Sequence, residues 1–207
     1  MSAAADEKET GRIEAFSDGV FAIAVTLLVL ELKVPHLSDG GAGGSLGRAL
    51  LSQWPSYVAL VTSFFTILVM WANHHRVFDL VRRVDAPFLY ANGFLLLVVT
   101  VVPFPTALLA EYFQKPGASA AAAVYGGTFT VCGAAFQVFW RTAIAGRRLL
   151  RRDYSEQRVQ EISRRYWLGV PGYLAATIAS FVSVFLTVGI CVALLIVWIA
   201  VSWKREA

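Results

Sequence analysis

Charged residues and cysteines are both scarce in this chain of 207 residues. Only 15% of the residues are charged, and the two cysteines, Cys132 and Cys191, each lie inside an apolar run. This placement argues against an extracellular disulfide or a cysteine-ligated metal cluster and is typical of buried thiols. The sequence also lacks HExxH, GxSxG and phosphate-loop motifs, and it offers no Ser-His-Asp set. We therefore expect neither an enzyme nor a metal or cofactor site.

Apolar residues are abundant: they make up 57% of the chain, and the mean hydropathy of +0.60 is too high for a soluble domain of this size. A helix needs about 20 apolar residues to cross a bilayer. This pattern predicts an all-α, polytopic membrane protein with a disordered leader at 1–11 and a six-helix domain at 12–205. The six predicted spans are 13–33, 51–73, 87–110, 119–140, 165–182 and 184–203.

The basic residues are distributed unevenly between the two sides that six spans would define. Fifteen of the 18 lysines and arginines fall in the two termini or in segments 74–86 and 141–165, and only Lys33, Arg48 and Lys115 fall on the other side. Cytoplasmic loops carry this excess, so both termini should be cytoplasmic in a multi-pass protein of the cell membrane. Topology explains the charge without nucleic-acid binding.

The first span, RIEAFSDGVFAIAVTLLVLELKVP from Arg12 to Pro35, places ionisable groups unusually close to its apolar section. Asp18 directly precedes the run from Gly19 to Leu30. Ionisable groups at that depth are costly, so they usually face protein or water and usually have a function. This pattern indicates an inner helix rather than one surrounded by lipid.

An apolar stripe follows the same helix. Ile23, Leu27 and Leu30 are spaced four and three residues apart and therefore share one face, with Thr26 at its edge. Rings of such side chains from several copies around an axis would form a hydrophobic constriction. The pattern alone also fits ordinary packing of a membrane helix, and periodicity by itself favours packing.

A motif at the start of this helix resembles the signature of the transmembrane protein 175 family, the lysosomal potassium channels of animals and their shorter prokaryotic homologues. The similarity extends through FAIAVTLLVLELKVP and to Trp71, His74 and His75 at the end of the second span, and the six-span length fits the prokaryotic form. The residues of the motif are Arg12, Phe16, Ser17, Asp18 and Gly19.

The resemblance implies a potassium-permeable cation channel without the TVGYG carbonyl filter, which this sequence also lacks. It further implies a homotetramer in which the first helix of each subunit lines the pore. The constriction then maps onto Ile23, Leu27 and Leu30, with Thr26 as the neighbouring polar position. Potassium ions, membrane lipid and identical subunits are the expected partners.

The resemblance assigns the FSDG end of the helix, with Arg12, to a network that holds helices together near the cytoplasmic entrance. Trp71 and either His74 or His75 are the implied partners. Asp18 either attracts cations or accepts hydrogen bonds from its neighbours, and pairing is the usual state of an intramembrane carboxylate. The adjacent histidines point about 100° apart on a helix, which is poor spacing for a metal site.

Two alternatives to a channel remain open at this stage. A cation or proton-coupled transporter would need an ionisable site near the membrane centre and usually broken helices in repeated halves. The predicted spans contain no central carboxylate, and a pair of prolines, Pro103 and Pro105, interrupts the third span. A scaffold without transport activity would show no conductance.

Overall fold

The computed structural model describes residues 3–35, 45–151 and 155–203, and these residues form nine α-helices. The all-α prediction is confirmed. The helices are α1 (Ala3–Leu27), α2 (Leu46–Ser52), α3 (Trp54–Leu80), α4 (Ala86–Val101), α5 (Pro103–Tyr112), α6 (Ala118–Ile144), α7 (Glu156–Trp167), α8 (Gly169–Ala179) and α9 (Val184–Trp203).

The first helix is longer at its amino end and shorter at its carboxyl end than the sequence predicts. It begins at Ala3, within the leader expected to be disordered, whose alanine, glutamate and lysine residues favour a helix. Residues 1, 2 and 204–205 lie outside the described part of the chain. The α-helix ends at Leu27 and tightens into a 3₁₀ turn over Leu28–Glu31.

Four stretches are long and apolar enough to cross a membrane: Glu9–Glu31, Trp54–Leu80, Ala86–Tyr112 and Ala118–Arg147. They correspond to the first four predicted spans. The apolar part of α9, Val184–Ala200, is shorter. Helix α8 has 11 residues and reaches only about 16 Å at 1.5 Å per residue, half of a hydrocarbon core of about 30 Å. A total of six spans therefore stays a prediction.

The third stretch is broken at the prolines, as the sequence predicts. Helix α4 ends at Val101 and α5 begins at Pro103, while Val102 between them keeps helical angles. Proline supplies no N–H to the helix ladder, and its ring crowds the preceding turn. The Thr106 amide and hydroxyl both donate to the Val102 carbonyl, at 3.2 and 2.8 Å, so the hydrogen bonds of the helix resume directly after the break.

Helix α6 forms the centre of the bundle and packs against α4, α5 and α8. Its aromatic residues Tyr125, Phe129, Phe139 and Trp140 are fully buried. A Cβ added to Gly126 of the same helix would lie 3.0–3.1 Å from Thr177 of α8. The small-residue composition of the fourth predicted span thus permits the close approach of α8.

Candidate functional site

One face of α1 anchors the helix to the rest of the chain. Ser17, Phe21, Ala24 and Leu28 follow one another at intervals of four, three and four residues, and all are at most 2% exposed. The helix packs through this face against α3 and α4. Positions spaced in this way lie on one side of a helix, so the opposite side is left uncovered by the chain itself.

The uncovered side carries the predicted constriction residues. Ile23, Leu27 and Leu30 are 59%, 39% and 72% exposed, and Phe16 on the same side is 67% exposed. Thr26 is also exposed, and its hydroxyl donates 2.9 Å to the Ile23 carbonyl of its own helix. The structure therefore brings all four proposed pore residues to one surface that makes little contact with the rest of the chain.

The change from α-helix to 3₁₀ helix falls inside this stripe. Leu30 lies in the 3₁₀ turn, three residues after Leu27 at the end of the α-helix. Residues three apart eclipse one another in a 3₁₀ helix, so the tightening keeps Leu30 in line with Leu27. The predicted span 13–33 does not show this change, because the apolar pattern is compatible with both kinds of helix.

On the amino-terminal side of the stripe, α1 meets α3 through a hydrogen bond to Asp18. Trp71 Nε1 donates 2.8 Å to Asp18 Oδ1. The indole ring also stacks on His75 at a centroid distance of 6.2 Å, and His75 Nδ1 lies 2.7 Å from Glu14 Oε1. Glu14, one turn before Asp18, thus takes part in the contact. The spacing of four residues between Glu14 and Asp18 was the sequence signal that Glu14 shares this contact, but a glutamate there also fits the solvated start of a helix.

A second, fully buried connection joins α1, α3 and α4. His74 Nε2 lies 2.8 Å from Asn92 Oδ1, Asn92 Nδ2 donates 2.9 Å to Ser17 Oγ, and Ser17 Oγ donates 2.9 Å to the Ile13 carbonyl. His74 and His75 therefore both contact α1: His74 packs against the Phe21 ring and is linked through Asn92 to Ser17, and His75 contacts Glu14. The sequence analysis missed Asn92, although an amide within a long apolar span is a signal of a buried polar contact.

The direction of these hydrogen bonds fixes the tautomer of His74. Because the Asn92 amide nitrogen already donates to Ser17, its oxygen must accept, so His74 Nε2 carries the proton. Nδ1 is then an acceptor, and it is buried without a partner in the described part of the chain. The ring is enclosed by Phe21, Phe78 and Phe139, with centroid distances of 4.8–5.2 Å.

Two substitutions of His74 should therefore differ in stability. The glutamine amide of His74→Gln reaches the position of Nε2 and preserves the donor to Asn92, whereas His74→Asn places its amide near Nδ1 and leaves Asn92 Oδ1 unpaired. We expect His74→Asn to be less stable by about 1 kcal/mol, or roughly 2–4 °C in apparent melting temperature. Thermal unfolding of both purified variants in one detergent measures the difference. Equal melting temperatures would show that the hydrogen bond between the Nε2 position and Asn92 does not stabilise the fold.

Arg12, Phe16 and Gly19 are not part of either connection. Arg12 and Phe16 line a groove of about 460 Å³ between α1 and α4, together with Leu89 and Gly93. A Cβ added to Gly19 would have no neighbour within 4 Å among the described residues. Nothing within the described chain requires glycine there, and Arg12 does not contact Trp71 or Asp18. The motif residues thus divide into an inward-facing and an outward-facing set.

The segment that follows α1 and its 3₁₀ turn is bound to the carboxyl end of α5. Lys33 Nζ donates 2.6 Å to Glu111 Oε2, and Lys115 binds the other oxygen of the same carboxylate. The hydrogen bond and the negative charge of Glu111 raise the pKa of Lys33 above its ordinary value. Glu31, Lys33, Glu111 and Lys115 line a cavity of about 450 Å³. Among the described residues, no group of three or more His, Cys, Asp or Glu side chains could hold a metal ion.

Comparison with known proteins identifies the family. Residues 12–103 match the family model described as the endosomal/lysosomal potassium channel TMEM175. Potassium channel Cha6605_3372 of Chamaesiphon minutus is 53% identical over 95% of this chain and 96% of its own length. The chain belongs to the TMEM175 family. This is a family of ion channels and not of enzymes, which confirms the prediction that the protein is not an enzyme.

Further TMEM175 relatives support the assignment over most of the chain. Potassium channel B446_29190 of Streptomyces collinus is 48% identical, and the similarity covers 86% of each chain. The crystal structure of a lysosomal potassium-selective channel TMEM175 homologue from Chamaesiphon minutus matches with a TM-score of 0.85 and 52% identity over 94% of this chain and 98% of that one. The TMEM175 fold therefore extends through α9, well beyond the residues that the family model matches.

Proposed function

We propose that this chain is the subunit of a potassium-permeable cation channel of the cell membrane, with the uncovered side of α1 lining the pore. The observation that carries this proposal is the exposed stripe of Ile23, Leu27 and Leu30 in a chain whose bacterial relatives are named potassium channels. The stripe continues without a charged residue from Gly19 to Leu30, so an ion passing it would meet only apolar surface and the hydroxyl of Thr26.

The pore is completed by identical subunits, with four as the number that the family resemblance implies. Within one chain α1 is peripheral: 22% of its most apolar stretch is buried, against 33–50% for the other three long stretches. Gly19 on α1 and Gly93 on α4 face open space, and small residues of this kind let membrane helices approach closely. A neighbouring subunit in the groove beside Phe16 would cover Arg12. Its close approach would also explain why position 19 is a glycine.

Selectivity would arise from dehydration at the constriction. A ring of isoleucine or leucine side chains offers no oxygen ligands, so a permeating ion sheds part of its water without compensation. Potassium is larger and holds water less tightly than sodium, so its penalty is smaller. In this mechanism Ile23, Leu27 and Leu30 form the selective barrier, and Thr26 supplies a polar group beside it.

The polar contacts at the other end of α1 would hold the pore helix in position near the cytoplasmic entrance. Asp18 accepts from Trp71, and Ser17 is linked through Asn92 to His74. Because these groups bind one another, we infer a structural role for them. They would orient the stripe, which lies five to thirteen residues further along the chain. Both termini would lie in the cytoplasm, on the side of the arginine-rich loops.

A cation or proton-coupled transporter is the second candidate, and the distribution of charge favours the channel. Within the described spans, no Asp, Glu, Lys, Arg or His lies in the apolar runs 19–30, 54–73, 86–110 and 118–140; the residues of these types that directly flank the runs are Asp18, Glu31, His74, Asp85, Glu111 and Arg141. A transporter of this kind requires a site near the membrane centre.

Flux from reconstituted vesicles tests the proposed function. Purified protein in liposomes is placed in equal, opposed gradients of potassium and sodium, and the membrane potential is read with a dye. We expect rapid potassium flux that does not saturate and a reversal potential close to the potassium equilibrium value. Protein-free vesicles are the control. Slow, saturable flux that carries protons would instead establish the transporter, and an absence of flux would reject both.

A further inference from the structure

The carboxyl end of α7 presents two arginines without carboxylate partners. Arg164 is exposed and Arg165 is half-buried. Among the described residues neither forms an ion pair, although Glu161 lies one turn earlier on the same helix. Membrane topology explains the excess of arginine on this side of the protein. It does not explain why Arg164 and Arg165 lack carboxylate partners among the described residues.

The inner face of α7 fixes the direction in which the arginines point. Ile162 and Tyr166 are buried, and the Tyr166 ring packs edge-on against Trp140 of α6 at a centroid distance of 5.3 Å. Trp140 Nε1 also donates 2.9 Å to Ser163 Oγ. With this side of α7 held against α6, Arg164 projects from the opposite side, away from the bundle.

The same outer surface carries large apolar side chains. Trp167 and Leu168 are 60% and 57% exposed, and they lie three and four residues after Arg164, on its side of the helix. Leu168 keeps helical angles, so α7 runs almost directly into the apolar helix α8. A tryptophan beside arginines at the start of an apolar helix is the arrangement found at the boundary between lipid head groups and acyl chains.

Two loops that lie on the same side of the membrane as α7 in the proposed topology also carry exposed arginines. The loops after α3 and α6 are joined by an antiparallel bridge in which Arg82 N donates 2.8 Å to Leu149 O and Arg151 N donates 2.9 Å to Leu80 O. The side chains of Arg82 and Arg151 are exposed. The leucines are buried beneath them, so the loops carry positive charge on a rigid base.

Arg148 contributes to that rigidity rather than to binding. Its Nε donates 2.7 Å to Asp85 Oδ2. Burial of Asp85 opposes its ionisation, but hydrogen bonds from the Phe88 amide and from Arg148 outweigh burial and lower the pKa of the carboxyl below its ordinary value. Asp85 therefore stays charged and paired, and it does not compete for Arg164 or Arg165.

We propose that each subunit binds an anionic phospholipid at the end of α7, with the lipid phosphate on Arg164 and Arg165 and an acyl chain against Trp167 and Leu168. Arginine binds phosphate through paired N–H donors. The adjoining apolar side chains favour a lipid over a free phosphate, because a small soluble ion would leave them exposed to water. This site is separate from the proposed pore and does not depend on which ion the channel conducts.

The affinity of the purified full-length protein for lipid tests the proposal. Phosphatidylglycerol and phosphatidylcholine with the same acyl chains are added in a neutral detergent, and bound lipids are counted by native mass spectrometry. We expect the wild type to bind phosphatidylglycerol preferentially. Each arginine removed should weaken that binding about fivefold, so Arg164→Gln/Arg165→Gln should weaken it about 25-fold. Arg164→Gln alone, expected to lose fivefold, serves if the double variant does not fold.

Arg48→Gln is the matched control. Arg48 is an exposed arginine on α2, which lies on the opposite side of the membrane in the proposed topology, and its loss should change binding less than about twofold. An equal loss in this variant would overturn the site, as would equal binding of the two lipids. A third arm adds glycerol 3-phosphate: if it displaces the lipid at equal concentration, the site binds a free phosphate and the lipid assignment is wrong.

Discussion

Replacing Ile23 with asparagine is expected to lower the potassium-to-sodium permeability ratio about tenfold, a change of about 1.4 kcal/mol in the difference between the two barriers. A ring of amide groups would offer oxygen ligands to a partly dehydrated ion. The penalty for losing water would fall more for sodium, which holds its water more tightly. Reversal potentials of reconstituted protein under potassium and sodium gradients give the ratio directly.

Ile196→Asn provides the matched control for this prediction. Ile196 on α9 is 61% exposed, almost the same as Ile23 at 59%, so both changes place the same amide on an uncovered surface and remove little packing within the chain. The control should leave the permeability ratio unchanged. If both variants retain the wild-type ratio, Ile23 does not contribute to the selective barrier. If both lose it, the effect of Ile23→Asn comes from a general disturbance of the fold.

The spacing of apolar residues predicts which elements form, because helices in lipid need long apolar runs and satisfy their backbone groups internally. That argument finds the first four spans and the break at Pro103. It overestimates the length of α8, because the apolar run 165–182 includes the amphipathic end of α7 and most of a turn at Ser180–Ser183. The amides of that turn donate to the carbonyls of Thr177, Ile178 and Ala179. Apolar composition alone does not separate these elements.

Only part of the candidate site can be predicted from the sequence. Residues close together along the chain can be placed by helix geometry, whereas residues far apart cannot. Ile23, Leu27 and Leu30 share a face through local helix geometry, so their common exposure follows from spacing. Asn92 lies 75 residues from Ser17, and only the packing of α4 against α1 brings them together. The two histidines likewise could not be separated from sequence, since adjacent positions on α3 differ only in which neighbouring helix they face.

Replacing Asn92 with leucine should cause the largest loss of stability, about 2 kcal/mol or roughly 4–8 °C in apparent melting temperature. Leucine has the same branching and the same number of side-chain heavy atoms as asparagine, so the change leaves no cavity. The buried Nε2–H of His74 would lose the one acceptor that the described residues provide, and Ser17 Oγ would lose its donor from α4. Thermal unfolding of the purified variant at a fixed heating rate measures the loss.

Asn73→Leu separates this effect from the general cost of removing a buried amide. Asn73 is 7% exposed and Asn92 is 2% exposed. In the described part of the chain, the Asn73 amide nitrogen donates to Val69 of its own helix, and its oxygen accepts a longer, 3.3 Å bond from Tyr166. Asn73→Leu should therefore lower the free energy of unfolding by less than about half as much as Asn92→Leu, because it breaks fewer strong hydrogen bonds between helices. A melting temperature for Asn73→Leu at or below that of Asn92→Leu would show that the connection from His74 to Ser17 does not stabilise the position of α1. The contact of Trp71 with Asp18 would then be the main attachment of the proposed pore helix at this end.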